Sequence, residues 1–407
     1  MNPRIAAVVL AAGKGTRMKS ALPKVLHPIC GKPMLTYPLD AAAEAGIEQL
    51  SVVVGHQAEQ VKEVFAERRI SWVEQTEQLG TGHALMCAAE SLAGFSGTLL
   101  LLCGDVPLLQ ADILKQAIQY HTHEKATVTV LTAEMQDPTG YGRIIRNQEQ
   151  VLGIVEEKDA TEEQRRITEI NTGTYLFDAE FVFSALKGLK TDNAQGEYYL
   201  TDVVAAAAAA SKKTRGVTIP DATQMMGIND RRQLAEAEAV MRWHVNSDLM
   251  LSGVTLIDPT TVYVDKGIEV GSDTVLHPNV QLRGATKIGS NCIIETGVVV
   301  VDSIVADGVH LKAGSAIEES QIGPACKIGP MAHLRPGTVL TGNNKIGNFV
   351  ETKKAVLGEG SQSSHLTYIG DAEVGKNVNF GCGTITCNYD GANKHKTTID
   401  DDVFIGS

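Results

Sequence analysis

An aliphatic residue recurs at every sixth position in the second half of the chain: Val264, Val270, Leu276, Leu282, Ile288, Ile294 and Val300. The register then slips and resumes at Ile322, Ile328, Leu334, Leu340 and Ile346; Gly271, Gly289, Gly323, Gly329 and Gly347 each follow an aliphatic residue. This spacing is neither the helical period of about 3.6 nor the strand period of about 2. It suits a parallel β-helix, in which each coil buries its aliphatic side chains against the neighbouring coils. The small residue after each aliphatic one is expected to let the chain turn tightly. Residues 252–407 are therefore predicted to form a left-handed parallel β-helix of hexapeptide repeats. A solenoid needs a polar capping coil. None precedes Ser407, which follows the repeat-like Val403-Phe404-Ile405-Gly406, so the natural protein is expected to continue.

Up to residue 229 the grammar differs. Short β-branched runs at 5–10, 51–54, 98–103 and 127–131 alternate with helical patterns at 36–45, 58–66, 83–92 and 108–120. Such alternation predicts an α/β domain, a Rossmann-like mixed sheet, mainly parallel, with helices on both faces. The alanine run 205–210 is expected in a buried helix starting near Asp202, because Ala has the best helix propensity. Residues 230–251 read as a helix linking the two domains.

With 407 residues the chain is too long for one ordinary core. A formal net charge of −12 supplies no basic field for nucleic acid. The seven cysteines lack paired metal-ligand spacing and read as reduced thiols. The start, MNPRIAAVVLAAG, lacks the apolar core of a signal peptide, and no stretch approaches the ~18–20 apolar residues of a membrane span. A cytoplasmic protein with neither membrane nor nucleic-acid partner is expected.

Chemistry begins after the first expected strand. In Leu10-Ala11-Ala12-Gly13-Lys14-Gly15-Thr16-Arg17-Met18, the glycines let backbone amides approach a phosphate and Arg17 adds charge-assisted hydrogen bonds. Lys24, in Leu22-Pro23-Lys24, is a second cation near that loop. The P-loop pattern GxxxxGK[ST] is absent, and the dinucleotide fingerprint fails because Met18 stands at its last glycine.

This loop, with Gln75, Gln78-Leu79-Gly80-Thr81-Gly82-His83-Ala84 and Gly104-Asp105-Val106-Pro107, resembles the sugar-1-phosphate nucleotidyltransferases. Tyr141-Gly142-Arg143-Ile144, Val155-Glu156-Glu157-Lys158, Glu169-Ile170-Asn171-Thr172-Gly173 and Gly227-Ile228-Asn229 narrow the likeness. It is to the bacterial bifunctional N-acetylglucosamine-1-phosphate uridylyltransferases / glucosamine-1-phosphate N-acetyltransferases, over essentially the whole chain. The resemblance implies that Ala11, Ala12, Gln75, Gly80 and Thr81 read the uracil, mostly through backbone groups and the Gln75 amide, and that Leu10 belongs to the same nucleotide site. Gly13, Arg17 and Lys24 would face the triphosphate, with Arg17 and Lys24 assisting catalysis. Asp105 and Asn229 would hold Mg²⁺. Gly142, Glu156, Asn171 and Thr172 would grip the N-acetyl sugar, with Cys103 and Gly104 bordering the nucleotide sugar. A carboxylate at a strand's C-terminal end suits an open α/β sheet, and Mg²⁺ takes few protein oxygens.

In the second half, Arg335 and Lys353 suit a phosphate monoester and His365, in Ser364-His365-Leu366-Thr367-Tyr368, suits a general base. By resemblance, Arg335, Lys353, Tyr368, Asn379 and Lys394 would bind glucosamine 1-phosphate, with Glu351 assisting. His365 would take the amine proton. Cys382, Asn388, Tyr389 and Ser407 would border acetyl-CoA, the co-substrate. Cys382 stands where the family usually carries Ala, and no cysteine intermediate is needed. The family likeness also implies a homotrimer through the β-helix, and later coils complete the acetyl-CoA site, which puts acetyl transfer by a chain ending here in doubt.

Two alternatives stay open: a nucleotidyltransferase of another base or sugar, and a non-catalytic scaffold that binds nucleotide sugars.

Overall fold

The apolar run near the N-terminus becomes strand β1, Ile5–Ala11, and Ala6, Ala7, Val8 and Val9 are all fully buried. Burial on both faces explains why this strand reads as an unbroken apolar run. The computed structural model describes residues 4–406, and the chain divides into two units, up to Ala237 and from Glu238 onward.

Among the described residues, the first unit holds a nine-stranded sheet. Its strands are β1, β2 (Gln49–Val54), β3 (Ser71–Glu74), β4 (Thr98–Cys103), β5 (Val128–Glu134), β6 (Arg143–Asn147), β7 (Gln150–Val155), β8 (Glu169–Asp178) and β9 (Thr214–Ile219). They lie in the order β3-β2-β1-β4-β8-β5-β9-β7-β6. The sheet is mixed rather than mainly parallel. β1 pairs parallel with β2 and β4, but β8 runs antiparallel to both β4 and β5, and β6 and β7 form an antiparallel pair. Strands β6, β7 and β9 escaped sequence reading because their burial is broken: in β7, Val151 and Ile154 are buried while Leu152 between them is exposed.

Alternate side chains of β1 enter two cores. Ala7 and Val9 pack with Leu39, Ala42 and Leu114 on one face, and Ala6 and Val8 with Leu85, Val182 and Val203 on the other. Helices thus cover both faces. Most of the alanine run lies off the buried side of its helix, Asp202–Ala209. Val203, Val204 and, from the run, Ala207 form that side, while Ala205, Ala206, Ala209 and Ala210 are exposed. Propensity makes the helix; the two valines seat it.

The helix Arg231–Leu251 starts where Asp230 accepts hydrogen bonds from the backbone N–H groups of Arg232 and Gln233, an N-cap. Beyond it, short strands pair only in parallel, coil upon coil. Eighteen residues separate Val264 from its partner Leu282, and seventeen separate Ile288 from Val305. The repeat therefore never stops. Across the apparent slip two five-residue steps, Val300 to Val305 and Ile317 to Ile322, replace sixes, and Val305, Leu311 and Ile317 continue the buried ladder. Except for Gly329, whose φ is +96°, the named glycines after aliphatic residues serve proximity rather than turning. A Cβ at Gly323 would lie 2.4 Å from the Thr341 carbonyl oxygen, and one at Gly347 would lie 2.0 Å from that of Ser364. Near the end one coil carries an inserted loop, so Val374 pairs with Ile399, twenty-five residues on. Among the described residues no helix is long and apolar enough to cross a membrane.

Candidate functional site

Strands β1, β2 and β4 end level with one another, Leu10 beside Cys103 and Ala11 beside Val54. Their C-terminal ends deliver the Ala11–Gly15 loop, Gly55 and the Gly104–Asp105 turn to one edge, where open α/β sheets place ligands. Gly55 is needed there: a Cβ would stand 2.6 Å from the Ala12 carbonyl oxygen and 2.9 Å from Gln78 Nε2. That Gln78 amide donates to the Ala12 carbonyl at 2.8 Å, fastening the loop to the 75–78 segment.

Lys24 crosses beneath the loop. Its Nζ donates to Asp105 Oδ2 at 2.5 Å and to Asn229 Oδ1 at 2.9 Å. The Asp105 and Asn229 turns are also joined directly, because the Ile228 N–H donates to the Asp105 carbonyl at 2.9 Å. Gly15 makes room for this: its φ is +59°, and a Cβ would stand 2.7 Å from Lys24 Cβ. Two hard oxygens facing one cation, with the Asp105 side chain partly exposed, match what Mg²⁺ accepts, since it completes its shell with phosphate and water. Among the described residues no cluster of three or more His, Cys, Asp or Glu side chains offers a fuller metal cage. Arg17 and Gly13 are exposed at the same loop, facing solvent.

Gln75 is 4% exposed. Its Nε2 contacts the Gly80 carbonyl and His83 Nδ1, each at 3.1 Å. It lines a cavity of about 300 Å³ together with Lys14, Gly55 and Gln78. Thr81 is exposed, and its hydroxyl accepts from the Leu200 N–H.

Gly142, Asn171 and Glu156 converge. A Cβ on Gly142 would lie 3.5 Å from both Asn171 Cβ and Glu156 Oε2, and the Asn171 N–H donates to the Gly142 carbonyl. Burial, with Asp159, Asp202 and Glu197 nearby, pushes the Glu156 carboxyl above its ordinary value, partly opposed by the Thr201 hydroxyl. Thr172 is placed differently: its hydroxyl is spent on the Leu131 carbonyl at 2.7 Å, leaving only backbone for a ligand. Cys103 is a neutral thiol, pushed up to about 12 by burial and the Asp105 charge, and it donates to the Gly173 carbonyl at 3.5 Å.

Sequence reasoning missed the clasp behind this cluster. The buried Arg143 guanidinium meets Glu157 Oε2 at 2.7 Å and also donates to the Tyr141 carbonyl, tying the two segments that carry Gly142 and Glu156. Arg143 and Glu157 directly follow Gly142 and Glu156 in the chain, and that adjacency is the signal the sequence offers.

On the β-helix, Arg335, Glu351, Lys353 and Tyr368 share one face. Glu351 sits in register with Tyr368 and Lys353 with Gly370, and the Arg335 N–H donates to the Thr352 carbonyl one coil on. Glu351 Oε1 accepts from Arg335 Nη1 at 2.6 Å. The Tyr368 hydroxyl lies over Gly370, where a Cβ would meet it at 2.3 Å. His365 is exposed beside Asn348, ahead of this face. The structure does not gather the remaining residues there. Asn379 lies on the adjoining face, paired with Gln362, and Lys394 lies in the inserted loop, lining a cavity of about 270 Å³ with Lys354, Asp371, His395 and Lys396. That loop also carries exposed Cys382 and Tyr389, and Asn388, whose amide donates to Asp371 Oδ2 at 2.5 Å. Ser407 lies outside the described residues.

Comparison with known proteins places these features in context. Residues 6–225 match the nucleotidyl transferase family, and residues 258–357 match the GMPPB C-terminal domain. The bifunctional protein GlmU of Syntrophotalea carbinolica is 61% identical over 406 residues, 100% of this chain and 88% of that protein. Those of Pelobacter propionicus and Shouchella clausii are 54% and 50% identical, over 99% and 98% of this chain and 88% of each relative.

Proposed function

The chain belongs to the family of the bifunctional GlmU proteins, and from that premise we propose that it makes UDP-N-acetylglucosamine in two steps, each carried out in its own domain. Residues 1–229 carry uridylyl transfer, 230–251 a linking helix and 252–407 acetyl transfer. The supporting observation is the Lys24 ammonium held between Asp105 and Asn229 at the C-terminal edge of the sheet.

In uridylyl transfer a phosphate oxygen of N-acetylglucosamine 1-phosphate attacks the α-phosphorus of UTP, and pyrophosphate leaves. The step needs alignment and charge neutralisation rather than a covalent intermediate. Arg17, Lys24 and the amides around Gly13 face the triphosphate, and Gly142, Glu156, Asn171 and the Thr172 backbone hold the sugar. Bound Mg²⁺ would rest on Asp105 and Asn229 and offset phosphate charge. Ala11, Ala12, Gln75, Gly80 and Thr81 receive the base, and Leu10, Cys103 and Gly104 border the nucleotide.

In acetyl transfer, Arg335, Lys353 and Tyr368 receive the phosphate and sugar of glucosamine 1-phosphate, with Asn379 and Lys394 completing the contact. His365 accepts the proton from the amine as its nitrogen attacks the thioester carbonyl of acetyl-CoA, and the CoA thiolate departs. Cys382, Asn388, Tyr389 and Ser407 border the acetyl donor. Asn379 and Lys394 lie off the Arg335 face, which favours a site completed by neighbouring copies in a homotrimer. No disulfide forms among the described residues, which suits the cytoplasm.

The deciding experiment gives the protein UTP, Mg²⁺ and N-acetylglucosamine 1-phosphate, then separately glucosamine 1-phosphate and acetyl-CoA. UDP-N-acetylglucosamine is expected from the first mixture and N-acetylglucosamine 1-phosphate from the second. Absence of the first product, with the protein folded, overturns the reading.

A further inference from the structure

The orientation of the Gln75 amide follows from its neighbours. Gly80 cannot carry a side chain: its φ is +104°, and a Cβ would stand 2.7 Å from the Tyr198 carbonyl oxygen. Its own turn is pinned from both sides, since the Tyr198 N–H donates to the Leu79 carbonyl and the Gly82 N–H to the Tyr198 carbonyl. The Gly80 carbonyl is therefore a fixed acceptor, which also takes the Ala84 N–H at 3.1 Å, and of the two ends of the Gln75 amide only the nitrogen can face it, donating at 3.1 Å.

The second Nε2 hydrogen then reaches His83 Nδ1, also at 3.1 Å. An amide nitrogen only donates, so Nδ1 must accept and the imidazole proton resides on Nε2. That nitrogen faces Cys87 Sγ at 3.9 Å, one turn along the helix Thr81–Ala88. Burial pushes the Cys87 thiol up, so a neutral sulfur receives the imidazole N–H. Both Gln75 N–H groups are thereby spent, and the carbonyl Oε1 is what the amide has left to offer the cavity it lines.

We infer that His83 is a positioning residue for nucleobase choice: it locks the Gln75 amide so that Oε1 presents an acceptor to a ring N–H. Uracil carries a hydrogen on N3, whereas cytosine carries a lone pair there. The locked amide accepts from the first and meets the second acceptor to acceptor. A flipped amide would set Oε1 against the Gly80 carbonyl and His83 Nδ1, two acceptors at once. This inference rests on the proposal that Gln75 faces the base.

The test compares kcat/KM for UTP and CTP, with Mg²⁺ and N-acetylglucosamine 1-phosphate, in wild type, His83→Leu, His83→Asn and Gln75→Met, alongside thermal midpoints. His83→Leu keeps bulk but frees the amide, so the UTP:CTP ratio should fall by roughly tenfold or more, the worth of one misplaced hydrogen bond. Asn places an acceptor near the Nδ1 position and should restore most of that ratio. A His83→Leu protein that is folded and keeps the wild-type ratio, or loses both nucleotides equally, overturns the inference. His83→Ala serves the same comparison should Leu not fold. If Gln75→Met also leaves the ratio untouched, the base lies elsewhere, and the failure belongs to the placement of the base rather than to His83.

Discussion

Lys24 Nζ lies 2.5 Å from Asp105 Oδ2 and 2.9 Å from Asn229 Oδ1, so one ammonium bridges two oxygens separated by more than a hundred residues of chain. A divalent ion seated on those oxygens competes with that ammonium for the same lone pairs. Replacing Lys24 by Met should therefore strengthen Mn²⁺ binding to the nucleotide-free protein while reducing UTP turnover. Titration followed by electron paramagnetic resonance reads the first effect; unchanged Mn²⁺ affinity would count against a shared site.

Asp105→Asn keeps shape and removes charge. Pyrophosphate release from UTP should drop by roughly 100-fold or more, the scale for losing one pre-placed electrostatic group. The thermal midpoint should barely move, because the side chain is partly exposed and serves no core. Near-normal turnover in this variant would refute the metal assignment.

Gly15→Ala tests the loop beneath which Lys24 passes. The position combines a φ of +59° with a Cβ contact of 2.7 Å to Lys24 Cβ. Chemical denaturation should register a loss of roughly 1–2 kcal/mol, and UTP turnover should fall with it as Lys24 is displaced. A variant matching wild type in both respects would mean that the loop relaxes freely.

His365→Ala addresses the β-helix alone. In a protein of its relatives' full length, acetyl transfer should be lost while uridylyl transfer persists, since His365 is exposed and holds no packing role. Glu351→Gln should act more mildly, loosening Arg335, to which Glu351 is joined at 2.6 Å. Parallel assays of both products decide; a joint fall of the two activities in His365→Ala would contradict separate sites.

Acid stability should depend on His121. Burial lowers its pKa from 6.5 to about 4, and its Nδ1 sits 2.8 Å from the Thr129 hydroxyl. Above pH 6.5 neither folded nor unfolded chain binds the proton there, so the residue adds no slope. Between pH 6.5 and 4 the unfolded chain binds it and the folded one does not, so stability falls as pH falls, by up to roughly 3 kcal/mol. Urea unfolding at stepped pH should show a shallower slope in His121→Asn; an equal slope would assign the effect to other groups.

Much of this molecule was legible because its cores are written periodically. The six-residue ladder and the apolar β1 identify themselves, since each buried side chain repeats its neighbour's environment. The strands β6, β7 and β9 were not legible because they are short and only partly buried, and β8, though long and buried at the centre of the sheet, pairs with the distant β4 and β5, which leaves no local signature. The alanine run misled for a related reason. Propensity makes a helix without deciding which face is buried, and Val203, Val204 and Ala207 made that choice.

The site divides the same way. Its loops were legible as motifs because glycines stand where backbone must turn or approach, as at Gly15, Gly80 and Gly104; Gly55, outside any motif, was not. Sequence alone determined the two architectures, their order and the residue types offered at each loop. Only tertiary structure decided that Lys24 meets Asp105 and Asn229, that Arg143 clasps Glu157, that Thr172 spends its hydroxyl on Leu131, and that His83 fixes Gln75. Periodicity is a property of neighbouring residues and survives in the linear chain. A hydrogen bond between side chains far apart in sequence exists only once the sheet has brought its strand ends to one edge.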